Sequence, residues 1–77
     1  MNNARRKELT SIGERISEII DELESIKSDE EEYRDNMPEN LQNSERYEIS
    51  DSACDNLDSA LDSLQEALSS VEDAGAN

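Results

Sequence analysis

The chain has 77 residues, of which 36% are charged and 32% hydrophobic, with a formal net charge of −14 and no Phe, Trp or His. That length allows one domain, and without histidine the usual metal ligand and general base are missing. Acidity this strong disfavours direct nucleic-acid or anionic-membrane binding and favours a protein partner with a basic surface.

Low hydrophobicity with high charge borders on disorder, so order has to come from periodicity. Arg5, Arg6 and Lys7 open the chain, but no apolar run follows them. Neither a signal peptide nor a membrane span is expected. A lone cysteine, Cys54, fits a reducing compartment, so a cytoplasmic location is expected.

The first predicted helix covers about residues 3–36. Leu9, Ile12, Ile16, Ile19, Leu23 and Ile26 are spaced 3, 4, 3, 4, 3, the signature of a coiled-coil seam. The a positions continue to Glu30 and Met37, and the d positions to Tyr33. A carboxylate at Glu30 weakens the seam near the loop or marks where the hairpin opens. Gly13 falls off this seam, costs about 1 kcal/mol against Ala, and permits close approach of another chain. Asp29 to Glu32 read as a solvated acidic turn, with cation binding as the other reading.

A loop is predicted at about 37–44, set by Pro38, which disfavours helix before it and lacks a donor. Asn43 or Ser44 caps the second helix, expected at about 45–74; a later start capped by Ser50 is the alternative. This helix repeats every seven residues, as Ala53-Cys54-x-x-Leu57, Ala60-Leu61-x-x-Leu64 and Ala67-Leu68-x-x-Val71. Its seam runs from Cys54 to Val71, and its alanines form a small-residue flank. Cys54 reads as a small buried hydrophobe rather than a reactive thiol.

The two seams match when paired residue numbers total 80, so that Leu9 meets Val71 and Ile26 meets Cys54. Arg6 and Lys27 are candidate cations at e positions, with Glu72 and Asp51 as partners. The predicted fold is therefore all-α: an antiparallel two-helix coiled-coil hairpin forming one domain over 1–77. Ile20, Ile49 and the alanine column lie outside the paired rows. They give the hairpin reason to form a homo-oligomer, with a dimeric four-helix bundle favoured.

Function is expected to be non-catalytic, with no cofactor and no metal. From Tyr47 onward there are eight acidic residues and no basic one. Asp51, Asp55, Asp58, Asp62 and Glu66 form a ridge expected to face away from the seam. Such a ridge either solubilises the chain or presents charge as a nucleic-acid backbone does. The alternative surface is at the loop end: Glu30, Tyr33, Tyr47 and Ile49.

The segment from Met37 to Glu48, the alanine-led heptads and the start at Asn3 to Arg6 resemble small acidic helical-hairpin proteins of bacteriophages and prophages. The resemblance implies a bacterial cytoplasm and an accessory role. Such small acidic accessory proteins are often inhibitors of host or defence proteins.

Overall fold

The computed structural model describes residues 1–76; Asn77, counted above in the single domain, lies outside them. Helix α1 spans Asn3–Asp35 and helix α2 spans Glu45–Ala76. A short 3-10 turn, Glu39–Leu41, lies in the connection. The helices run antiparallel as a hairpin 59 Å long and 15 × 12 Å across, measured on Cα atoms.

Local chemistry sets the helix ends. The Asn2 side chain accepts from the Arg5 N–H at 2.8 Å and caps α1. The chain leaves α1 at Asn36, and Pro38 starts the 3-10 turn, whose Leu41 N–H donates to the Pro38 carbonyl at 2.8 Å. Of the two expected caps for α2, Ser44 does the work: its Oγ accepts from the Tyr47 N–H at 3.3 Å. Glu45 and Glu48 then lie in the first turn, where the helix dipole favours negative charge.

The far ends show the opposite pattern. α1 opens on Arg5 and Arg6 with no acid in its first turn, and α2 closes on Glu72 and Asp73 with no base in its last. Each charge set is wrong for its own helix dipole. The antiparallel fold places the cations of α1 at the same end of the hairpin as the negative end of α2, an arrangement that offsets a cost each helix bears alone.

Packing along α2 follows the expected rows: Cys54 and Leu61 are buried, and Leu57, Leu64, Leu68 and Val71 half-buried. Packing along α1 does not. The expected d row, Ile12, Ile19, Ile26 and Tyr33, is exposed, and Ile20, expected outside the seam, is buried. The row that pairs with Leu9, Ile16 and Leu23 consists of Gly13, Ile20, Lys27 and Arg34. This row also alternates 3 and 4 with the a positions, so it forms an equally regular seam.

The register moves with it. A Cβ built on Gly75 would lie 3.8 Å from the Leu9 Cβ, and ion pairs join Lys27 to Asp58 and Arg34 to Asp51. Leu9 with Gly75 totals 84 where the expected core pairs total 80, the two ion pairs total 85 where Lys27 with Asp51 would total 78, and Gly13 with Leu68 totals 81. Leu9 thus lies beside Gly75, with Val71 lining the same depression. Relative to the expected pairing, the offset is about one helical turn.

The core is thin. Ile20, Met37, Cys54 and Leu61 are its buried apolar side chains, with Met37 closing the loop end. Gly13 is buried against α2 of its own chain rather than held open for another, and a Cβ there would meet Leu68 Cδ1 at 3.6 Å, an ordinary contact. Gly13→Ala therefore gains helix propensity without a clash. It is expected to raise unfolding free energy by about 0.5–1 kcal/mol, measured by urea denaturation; a loss would mean that the helices need a closer approach at this point.

Candidate interaction surfaces

The hairpin has two unlike flanks, one on each side of the α1–α2 seam. On the first, Lys27 and Arg34 stand seven residues apart on α1, and Asp58 and Asp51 seven apart on α2. Arg34 Nη1 donates to Asp51 Oδ1 at 3.0 Å and its Nε to Asp35 Oδ1 at 3.0 Å. Lys27 Nζ is paired with Asp58 Oδ1. Two rungs one heptad apart therefore tie the helices together. The hydrogen bond to Asp58 raises the Lys27 pKa above its ordinary value, and Asp35 with Asp51 holds Arg34 charged.

This places the acidic ridge differently from the expected outward face. Asp51 and Asp58 are engaged across the hairpin, and Asp51 is half-buried. Asp58 stays exposed despite its ion pair, and Asp55, Asp62 and Glu66 are exposed too. Asp62 lines a shallow groove with Glu24, Lys27, Glu31, Asp58 and Gln65, so acids outnumber its one cation. Lys27 was expected to pair with Asp51 and instead takes Asp58. Arg34 was not singled out, although it follows Lys27 by one heptad and could have been found by extending that row.

Beneath the rungs lies a small polar interior. Ser50 is 2% exposed and its Oγ has no hydrogen-bond partner among the described residues. Cys54, one turn on, is buried and reduced, and burial pushes its thiol pKa up while Arg34 opposes that shift. A raised thiol pKa makes this cysteine a poor nucleophile near neutrality. Among the described residues, no group of three or more His, Cys, Asp or Glu is arranged to hold a metal ion. Among the same residues, no helix is long and apolar enough to cross a membrane.

The second flank is apolar. Ile12, Ile19, Ile26, Tyr33 and Ile49 are between 39% and 63% exposed. Ile26 and Tyr33 share a groove with Ala53, Asn56 and Leu57 of α2, edged by Asp29 and Glu30 of α1, so both helices contribute to one surface. At the loop end, Glu30, Tyr33 and Ile49 come together around a second depression with Glu45, Arg46 and Ser50. Tyr47, expected in that set, is half-buried and does not line it.

Comparison of the chain with protein-family models, curated proteins and solved structures yields no match. The surfaces themselves are thus what bears on function.

The two rungs predict coupled energetics. Arg34→Ala and Asp51→Ala are each expected to lower the thermal midpoint, and the double variant to lose less than the two losses added. The coupling is expected to shrink in about 1 M salt, where charges are screened over about 3 Å. Full additivity at low salt would remove Arg34–Asp51 as a structural tie.

Proposed function

We propose that the chain is a non-catalytic binding protein that sets an acidic helical surface against a basic site on another protein. In its specific form it is a phage-type inhibitor or modulator of a host or defence protein, acting in the bacterial cytoplasm and imitating the charge of a nucleic-acid backbone. The observation that carries this reading is the exposure of Asp55, Asp62 and Glu66 on a helix with no basic residue after Arg46. Lys27 and Arg34 of α1 are engaged with Asp58 and Asp51. A basic partner would gain attraction from these exposed carboxylates, mostly as a faster, salt-sensitive encounter.

A second reading is a structural coiled-coil adaptor that works through its apolar or loop-end surface. Exposure of Ile26, Tyr33 and Ile49 around joined grooves favours it.

One experiment separates them. The tagged chain is used for affinity capture from a bacterial lysate at about 0.1 and 0.5 M salt, beside Asp55→Asn/Asp62→Asn/Glu66→Gln and Ile26→Ala/Tyr33→Ala variants. Asp51 and Asp58 stay native because they hold ion pairs. The acidic-surface reading expects a partner lost at high salt and bound at least about tenfold more weakly by the first variant. Retention by that variant with loss in the second would transfer function to the apolar surface.

A further inference from the structure

We infer that the apolar flank is covered by a second copy of this chain, with both loops at the same end and α1 of each copy packed on α2 of the other. The inference concerns the flank opposite the acidic one and stands apart from the acidic-surface reading.

Surface area is the first argument. A folded monomer of 8.7 kDa exposes about 4,700 Å² by the usual size scaling, and this chain exposes 5663 Å². The excess of about 900 Å² is close to the roughly 800 Å² that each partner buries in a standard interface. The length and width of the hairpin, 59 by 15 Å, provide a face of the same size.

Row count is the second. α1 carries three useful rows: the a row, the Gly13–Ile20 row beside it, and the Ile12–Ile19–Ile26 row on the other side. One antiparallel neighbour uses the first two. A helix in a four-helix bundle has two neighbours and needs the wider stripe.

Shape and charge select a second copy over a foreign helix. The α1 row is bulky, and the matching α2 flank is small and uncharged: Ala53, Asn56, Ala60, Ser63, Ala67 and Ser70. With Leu9 level with Gly75, Ile19 stands at a height between Ala67 and Ala60, and Ile26 between Ala60 and Ala53. A two-fold axis along the bundle then drops each isoleucine of one copy between two alanines of the other, and the reverse contact follows by symmetry. The opposite arrangement, loops at opposed ends, would set isoleucine on isoleucine and alanine on alanine, overfilling one line and leaving voids in the other. The charge of −14 per chain is no bar, because the α2 row from Ala53 to Ser70 carries none of it, the charges on this flank of α2 being confined to Glu45, Arg46 and Glu48 at the loop end, and salt screens the rest.

Sedimentation equilibrium of the unmodified chain at about 5–100 µM should give a particle of twice 8.7 kDa, tightening between about 0.15 and 0.5 M salt as repulsion is screened. A single-chain mass throughout, with the face left for some other partner, or a trimer or larger, would overturn the inference. Ile19→Glu/Ile26→Glu should weaken the dimer at least about a hundredfold, the scale of burying unpaired charge; an undiminished dimer would rule out this face. A second measurement does not depend on that variant folding. Spin labels at Asn40→Cys, in a Cys54→Ala background, should lie within half of the 59 Å length. A separation near the full length would establish opposed loops and overturn the arrangement.

Discussion

A pair of helices can bury one strip of each, and the choice of strip on α1 decides everything else about this molecule. The strip contains Gly13, Ile20, Lys27 and Arg34 beside the a positions, and it excludes Ile12, Ile19 and Ile26. Two long cations therefore stand at the edge of the core, where their stems can cover apolar surface and their heads can reach acids on α2. The same rotation exposes a full row of isoleucine on the opposite flank. The ion-pair rungs and the apolar face are two consequences of one packing decision.

The division of labour between flanks follows. Acids of α2 nearest the seam are used to hold α1, and those farther round, Asp55, Asp62 and Glu66, are left at the surface. The net charge of −14 spread along 59 Å amounts to about one charge per 4 Å. Duplex DNA carries one per about 1.7 Å. A second copy alongside would double the charge on the same length and bring it to about one per 2 Å. Assembly through the apolar flank and mimicry through the acidic one would then support each other, although each is tested separately.

Much of the fold could be read from the residues. Pro38 and the capping residue Ser44 fix the loop, and the seven-residue repeat fixes the buried face of α2, whose competing flanks are alanine on one side and aspartate on the other. The row on α1 could not be read in the same way. Counting apolar side chains favours the d row, which is almost all isoleucine, whereas its rival contains glycine, lysine and arginine. Spacing cannot discriminate, because both rows alternate 3 and 4 with the same a positions. For the candidate site, two of the five ridge acids, Asp51 and Asp58, pair with α1, and Arg34 lies one heptad beyond Lys27 in the e row, a position that extending that row would have reached.

The rotated seam is tested most directly by where a disulfide closes. Disulfide-linked cysteines have Cβ atoms about 3.8 Å apart, and a Cβ built on Gly75 lies 3.8 Å from that of Leu9. In a Cys54→Ala background, the pair Leu9→Cys/Gly75→Cys should oxidise rapidly to a crosslink within one chain, faster than Leu9→Cys/Val71→Cys. Preferential closure to position 71 would restore the pairing that totals 80 and contradict the packing on which this account rests.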